Sequence, residues 1–200
     1  MSDDARTVEF FFDFGSPTTY LAWTQLPQIA AETGAQIVWR PMLLGGVFKA
    51  TGNASPVTVP AKGKWMLGDL GLWARRYGVP LKFNPHFPIN TLTLMRIVTG
   101  LQMRRPADFQ PFVAAMFKAM WVAPRNLGDA AVLAATIAEA GLDAEALLAL
   151  AADPEVKAAL VATTDEAVAQ GVFGAPSFFV GGKLFFGQDR LEFVRDALAA

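Results

Sequence analysis

Apolar runs near the two ends of the chain predict strands, and the long middle predicts helices. Residues 8–14 are almost continuously apolar and aromatic, which is typical of a central strand covered on both faces. Residues 18–33 place apolar side chains at helical spacing, and Gly34 predicts the end of this helix. Pro27 lies inside it and predicts a kink or a division. Residues 35–41 predict a second strand, parallel to the first.

The middle of the chain has a different character. Residues 43–60 lack periodicity and are punctuated by glycine and proline, so we expect a loop region that carries binding groups. No strand is predicted between residues 62 and 169. The helices predicted there cover residues 63–77, 91–104, 106–122, 129–139, 143–150 and 154–170. Residues 79–88 form a proline-rich extended segment between the first two of them.

The strand pattern returns at the C-terminal end. Residues 177–180 and 183–186 flank the pair Gly181-Gly182 and predict a hairpin, and residues 191–199 predict a closing helix. The order is βαβ, a helical segment, then ββα. This order predicts an α/β sandwich whose sheet is split in sequence.

Composition narrows the function. The chain has 200 residues, 53% of them hydrophobic, which is enough to bury a substantial core. It has no cysteine, which excludes disulfides, thiolate metal sites and redox chemistry by a protein thiol. The single histidine, His86, excludes a multi-histidine metal motif within one chain. The net charge of −1 and the absence of a dense Lys/Arg run argue against nucleic-acid binding.

The sequence shows no targeting or membrane segment. Residues 1–6 are polar and lead directly into the first strand, so no secretory signal is predicted. The apolar stretch 130–150 is interrupted by Glu139, Asp143 and Glu145, so no membrane span is expected. We therefore expect a soluble cytoplasmic protein.

The first strand runs into a turn that opens a helix. Gly15 allows a tight turn, and Ser16-Pro17 pairs an N-cap hydroxyl with proline at the first helical position. The free N–H groups of a helix N-terminus favour an anion, and a thiolate is one candidate. A plain helix cap explains the same residues, and from the residues alone it is the favoured interpretation.

Four motifs follow one another along the chain: FDFGSP at 12–17, LGGVFKATGN at 44–53, GVFGAP at 171–176 and FGQDR at 186–190. Together they resemble the motifs of 2-hydroxychromene-2-carboxylate isomerases, which are related to kappa-class glutathione transferases. The resemblance covers nearly the whole chain. It implies an α/β thioredoxin-like fold (βαβ…ββα) with a large all-helical insertion of the DsbA or kappa type. Residues 6–45 and 171–200 would form the thioredoxin-like domain and residues 46–170 the insertion.

The resemblance also implies a site for glutathione as cofactor. Ser16 stands where thioredoxins carry cysteine, and it would be the catalytic residue that donates a hydrogen bond to the glutathione sulfur. A cis peptide at Ala175-Pro176 would expose the backbone to the cysteinyl part of glutathione. The γ-glutamyl end would meet the segment after the hairpin, with its ammonium on Asp189. The implied glutathione-binding residues are Ser16, Asn53, Ala175, Pro176, Phe186, Gly187, Gln188 and Asp189.

The resemblance implies Lys49, Asn53 and Phe87 as substrate-binding residues. Lys49 would meet a carboxylate or carbonyl oxygen of the substrate, Asn53 would hydrogen-bond the substrate or glutathione, and Phe87 would line an aromatic pocket. His86 beside Phe87 receives no assigned role. Val57-Thr58 stands where some members carry Asn-Arg, and this departure leaves the substrate open.

The function implied is that of a glutathione-dependent isomerase acting on a small aromatic carboxylate. It would interconvert 2-hydroxychromene-2-carboxylate and trans-o-hydroxybenzylidenepyruvate, or a related intermediate of aromatic catabolism, by reversible thiolate addition. The alternatives are a kappa-like glutathione transferase or peroxidase, and a non-catalytic binding protein of the thioredoxin superfamily. A disulfide oxidoreductase is excluded because the chain has no cysteine. Relatives imply a homodimer, with no nucleic acid and no membrane as partners.

Overall fold

A computed structural model describes residues 6–200. Residues 1–5 lie outside the described part, and with them most of the polar segment from which no secretory signal is predicted. The strands are β1 (Thr7–Phe12), β2 (Gln36–Pro41), β3 (Ser177–Val180) and β4 (Lys183–Phe186). The helices are α1 (Pro17–Thr33), α2 (Leu44–Thr51), α3 (Pro60–Tyr77), α4 (Leu92–Arg104), α5 (Pro106–Trp121), α6 (Ala130–Glu139), α7 (Ala144–Ala152), α8 (Pro154–Ala169) and α9 (Leu191–Ala199). Short 3₁₀ turns cover Pro56–Thr58 and Gln188–Arg190.

The four strands form one mixed sheet in the order β2-β1-β3-β4. β1 pairs with β2 in parallel and with β3 antiparallel, and β3 pairs antiparallel with β4. Phe10 in β1 lies opposite Trp39 on one side and Phe178 on the other. The sequence prediction of βαβ, helices and ββα is therefore confirmed, and the first and last parts of the chain share one sheet.

β1 is covered on both faces, as its apolar run predicts. Phe10 and Phe12 belong to the larger buried cluster, which includes side chains of α1, α4, α5 and α9. Phe11 belongs to a second cluster, with Val47 of α2 and Ala167 of α8. Since successive strand side chains point to opposite faces, this alternation places helices on both sides of the sheet.

The predicted ends of α1 are confirmed, and of the kink or division predicted at Pro27 the division does not occur. Ser16 caps the helix, with Pro17 as its first residue, and Gly34 ends it in the left-handed conformation at φ 68°. α1 runs through Pro27 without a division. Pro27 is exposed, while the buried residues Leu26 and Ile29 hold the helix on the core.

The expected loop at 43–60 contains a helix, α2, and the prediction was wrong there. Gly45 and Gly46 give this segment a low helix propensity, which is why the pattern did not reveal it. Tertiary contacts supply the missing stability. Val47 is fully buried, and the N–H groups of Leu43 and Leu44 donate to the side chains of Thr164 and Asp13, respectively.

Other boundaries shift by small amounts. β1 ends at Phe12 rather than at residue 14, and α3 begins at Pro60 rather than at residue 63. The remaining helices and the hairpin lie within two residues of their predicted positions. Within residues 6–200, no helix is long and apolar enough to cross a membrane.

Candidate active site

The turn between β1 and α1 is held by hydrogen bonds from its own residues. The Ser16 N–H donates to the Asp13 carbonyl at 3.2 Å, and the Gly15 N–H donates to the Asp13 carboxylate at 2.8 Å. The Ser16 Oγ accepts from the Thr19 N–H at 3.1 Å, which is the bond of a helix N-cap. The indole N–H of Trp121 donates to the Phe14 carbonyl at 2.8 Å and anchors the turn to α5.

The structure brings this turn against the Ala175-Pro176 peptide. That peptide bond is cis, as the resemblance implies. The Ser16 hydroxyl donates to the Ala175 carbonyl at 3.1 Å although the two residues are 159 positions apart. The Thr18 hydroxyl donates to the same carbonyl at 3.2 Å, and the two hydroxyl oxygens are 2.8 Å apart. Ser16 is only 5% exposed, so its hydroxyl is shielded from bulk water.

The segment after the hairpin lies beside the cis peptide. Gly187 has φ +100°, a conformation that favours glycine, and its N–H donates to the Pro176 carbonyl at 3.0 Å. The Tyr77 hydroxyl donates to the Gln188 carbonyl at 2.7 Å and ties the segment to α3. The Phe186 ring lies 4.5 Å from the Phe173 ring, centroid to centroid. Residues 186–189 line the same cavity as Ser16.

The segment after α2 forms another part of the wall. Asn53 donates from its side-chain amide to the Phe173 carbonyl at 2.8 Å, so it links this segment to the one that precedes the cis peptide. Lys49 lies on an exposed face of α2 and is not part of the cavity wall. Lys62, in the first turns of α3, does line the cavity.

These segments enclose a cavity of about 870 Å³. The implied site residues that line it are Ser16, Asn53, Phe87, Ala175, Phe186, Gly187, Gln188 and Asp189. Pro176 contributes its carbonyl to Gly187 rather than a surface of the cavity. His86 is exposed and lies outside the wall. The structure therefore gathers most of the implied residues, and it does not bring Lys49 to the wall.

The cavity is lined by apolar side chains and by charged ones. The larger apolar lining side chains come from five separate segments and are Phe48, Val59, Trp65, Met66, Phe87, Ile89, Phe173 and Phe186. Asp69 and Asp189 line it together. Burial raises the pKa of Asp69, the negative charge of Asp189 raises it further, and a hydrogen bond with Trp73 opposes the rise. Two neighbouring carboxylates favour a cationic group between them.

Sequence reasoning missed Thr18, Lys62 and Asp69. Lys62 and Asp69 are seven residues apart, which places them on one face of a helix, so the spacing could have grouped them once that face was known to look into the site. Thr18 directly follows the FDFGSP motif, and no role was predicted for it. A second cis peptide, Phe87-Pro88, lies in the wall and carried no distinguishing signal in the sequence.

The chemistry open to these residues is limited by their types. No group of three or more His, Cys, Asp or Glu side chains that could hold a metal ion occurs within residues 6–200. The site instead offers a buried hydroxyl at a helix N-terminus, a cation, an acidic pair and an apolar wall.

A family model of the DSBA-like thioredoxin domain matches residues 7–199. The chain belongs to this family. It is 34% identical over 198 residues to 2-hydroxychromene-2-carboxylate isomerase of Sphingobium xenophagum, with 96% of this chain and 98% of that protein covered. It is 30% identical over 205 residues to glutathione S-transferase kappa 1 of Homo sapiens, with 96% and 91% covered.

A solved structure of a 2-hydroxychromene-2-carboxylate isomerase superposes with a TM-score of 0.82 at 27% identity and covers 96% of this chain and 94% of its own. A probable DsbA oxidoreductase from Streptomyces coelicolor superposes with a TM-score of 0.70 at 20% identity, with 96% and 88% covered, which shows a shared fold. The thioredoxin-like fold of the DsbA type, implied by the four motifs, is thus confirmed. The named relatives above 25% identity include isomerases and kappa-class glutathione transferases.

Proposed function

We propose that this chain is a glutathione-dependent isomerase that interconverts 2-hydroxychromene-2-carboxylate and trans-o-hydroxybenzylidenepyruvate, or a closely related intermediate of aromatic catabolism. The observation that carries the proposal is the position of the Ser16 hydroxyl. It is buried at the N-terminus of α1 and donates to the carbonyl of Ala175, which belongs to the cis peptide. The similarity to isomerases over almost the full chain supports the reaction class.

The residues present fit glutathione as cofactor. Its ammonium group suits the acidic pair Asp69 and Asp189, and Lys62 suits one of its carboxylates. A thiol of pKa about 8.5 is acidified by a helix N-terminus and a hydroxyl donor. Ser16 supplies that donor, so a protein without cysteine has a place to hold a borrowed thiolate.

Bound glutathione would supply a nucleophilic sulfur that adds reversibly to a conjugated carbon and is released unchanged. The chain's own part is to hold and orient. Ser16 donates to the sulfur anion, and the apolar wall around Phe48 and Phe87 packs an aromatic ring and excludes water. Lys62 is the lysine placed to stabilise negative charge on the substrate or cofactor, whereas Lys49 would first have to reach the cavity.

The kappa-like glutathione transferase or peroxidase is the second candidate, because the chain is 30% identical to human glutathione S-transferase kappa 1. The two differ in what happens to the cofactor. An isomerase leaves the concentration of free thiol unchanged, while a transferase or peroxidase consumes it. As part of the proposal, the protein works in the cytoplasm and forms a homodimer. Sedimentation of the purified protein would check the oligomeric state.

The test has two arms. Calorimetric titration should show binding of glutathione, and S-methylglutathione should bind without the contribution of the thiolate. The purified protein should then convert 2-hydroxychromene-2-carboxylate only when glutathione is present, with no loss of thiol. Loss of thiol during turnover would favour the transferase, and failure to bind glutathione would favour a non-catalytic binding protein.

A further inference from the structure

Three oxygen atoms meet at the centre of the site, and they have only two protons to share. The hydroxyls of Ser16 and Thr18 lie 3.1 and 3.2 Å from the Ala175 carbonyl, respectively, and 2.8 Å from each other. The Ser16 Oγ already accepts from the Thr19 N–H. Each hydroxyl has one proton to give, so the direction of the Ser16 proton depends on what Thr18 does.

The Ala175 carbonyl needs a donor. Ala175 is 9% exposed, and a buried carbonyl without a partner is costly. If Ser16 were the sole donor to this carbonyl, its proton would be committed there. The Thr18 hydroxyl removes that commitment, because it reaches the same oxygen at an almost equal distance.

We propose that Thr18 is a positioning residue that donates to the Ala175 carbonyl and thereby frees the Ser16 hydroxyl proton for the sulfur of bound glutathione. This inference rests on the proposed function. Thr18 lines the cavity and is half-buried, so it stays in contact with both partners while the ligand occupies the site. In the free site the Ser16 proton goes to the carbonyl or to the Thr18 oxygen, and in the thiolate complex it turns to the sulfur.

The consequence is that Thr18 acts on the thiolate without touching it. Without the Thr18 hydroxyl, Ser16 has to choose between the carbonyl and the sulfur. Either the thiolate loses its donor, or the Ala175 carbonyl loses its hydroxyl donors and keeps only the cysteinyl N–H of glutathione, and both outcomes favour the protonated thiol. Binding of a ligand that has no ionisable thiol is not affected in this way.

The experiment measures the pH dependence of the ultraviolet absorbance of the thiolate in the glutathione complex. The variants are Thr18→Val, which removes the hydroxyl at nearly constant shape, and Thr18→Ser, which keeps it. We expect Thr18→Val to raise the thiol pKa by about one pH unit or more, a tenfold weakening of thiolate formation. Thr18→Ser should restore the wild-type value. The affinity for S-methylglutathione should be the same in all three proteins.

Thr19→Val is the matched control. Among the residues that the structure describes, the buried Thr19 hydroxyl has no hydrogen-bond partner. Its removal should leave the thiol pKa unchanged. If Thr18→Val fails to fold, as judged by circular dichroism, Thr18→Ala removes the same hydroxyl and takes its place in the comparison.

The outcomes distinguish a failure of the proposed function from a failure of the role of Thr18. If the wild-type protein does not bind glutathione, the proposed function fails. If it binds glutathione and acidifies the thiol, but Thr18→Val does so equally, the role of Thr18 is overturned while the proposed function stands. An equal loss of S-methylglutathione affinity in Thr18→Val would likewise overturn it, because a general distortion of the site would then account for the effect.

Discussion

The carboxylate of Asp13 accepts a hydrogen bond of 2.8 Å from the backbone N–H of Leu44, 31 residues further along the chain. The second oxygen of this carboxylate accepts from the Gly15 N–H at 2.8 Å. The side chain of Thr91 also makes a hydrogen bond to the Asp13 carboxylate. Asp13 is buried, and it joins the turn before Ser16 to the start of α2 and to the start of α4. One acidic side chain thus holds three segments of the cavity wall in place.

Asp13→Asn is expected to lower the free energy of unfolding by about 2 kcal/mol at neutral pH, because the amide NH₂ would face a backbone N–H. Denaturant unfolding followed by circular dichroism measures this. Asp165→Asn, at an exposed position on α8, is the control and should stay within about 0.5 kcal/mol of the wild type. An equally small effect at Asp13 would contradict its role.

The same variant should change the pH dependence of stability. Burial raises the pKa of Asp13 above 3.8, and the hydrogen bonds from Gly15, Leu44 and Thr91 oppose this rise. A raised carboxyl pKa means that the folded state binds its proton more tightly, so this group's contribution falls as pH rises from 3.8 towards the folded pKa. The stability advantage of the wild type over Asp13→Asn should therefore shrink with rising pH, then level off.

Ser16→Ala should cut glutathione-dependent turnover roughly 100-fold, the effect of removing one donor to a developing anion. It should cost only about 1 kcal/mol of stability, the value of an N-cap. Asp143→Ala is the matched control, since the Asp143 side chain caps α7 by accepting from the Ala146 N–H. That variant should lose similar stability and keep its activity. Wild-type turnover by Ser16→Ala at saturating glutathione would refute the proposed role.

Lys62 and Lys49 offer a paired test of the charge in the site. Lys62→Gln should weaken glutathione or substrate binding about fivefold, because an exposed ion pair is worth up to about 1 kcal/mol. Lys49→Gln should have no effect, because Lys49 lies outside the cavity wall. Dissociation constants and KM values for both variants decide the matter, and the reverse pattern would restore Lys49 as the binding residue.

Gly174→Ala should disturb the cofactor side of the cavity. A Cβ atom at Gly174 would lie 2.8 Å from a carbon of the Phe186 ring, which would have to move. We expect a loss of about 1–3 kcal/mol in stability and weaker glutathione binding. Gly68→Ala in α3 meets no atom within 4 Å and should instead gain about 0.5–1 kcal/mol. Unchanged glutathione affinity in Gly174→Ala would show that Phe186 does not shape the binding site.

The Tyr77 phenol should lose its proton only at high pH. Burial, with a smaller effect from the charge of Asp189, raises the pKa of Tyr77 from 10.0 to about 12. Since the folded state favours the neutral phenol, this contribution to stability is complete below pH 10 and is lost between about 10 and 12. The chain has two tyrosines, and burial also raises the pKa of Tyr20.

Tyrosinate absorbance in Tyr77→Phe should keep only the Tyr20 step. The variant should lose about 1 kcal/mol of stability near pH 7, because the Gln188 carbonyl loses its donor. A tyrosinate step near pH 10 in the folded wild type that vanishes in Tyr77→Phe would show that the phenol of Tyr77 is solvated.

The sequence by itself determined the order in which the strands and most helices follow one another along the chain. It also determined the cap at Ser16 and the absence of a protein thiol. These are local or compositional properties. Each of these elements depends on residues that are close together in the chain. The apolar run before Asp13 specifies a strand, the Ser16-Pro17 pair starts a helix, and the glycine pair forms the turn of the hairpin. The four motifs then predicted which distant segments would share one site, and most of their residues do line the cavity.

Tertiary structure alone decided α2, the cavity-facing side of α3 and the sharing of the Ala175 carbonyl. α2 forms despite Gly45 and Gly46 because Asp13 and Thr164 receive its first N–H groups. Lys62 rather than Lys49 lines the cavity, because packing determines which face of a helix is turned inwards. Thr18 acquires a partner only because the fold brings Ala175 to it across 157 positions of sequence. Long-range contacts of this kind depend on how elements pack, and no local pattern encodes them.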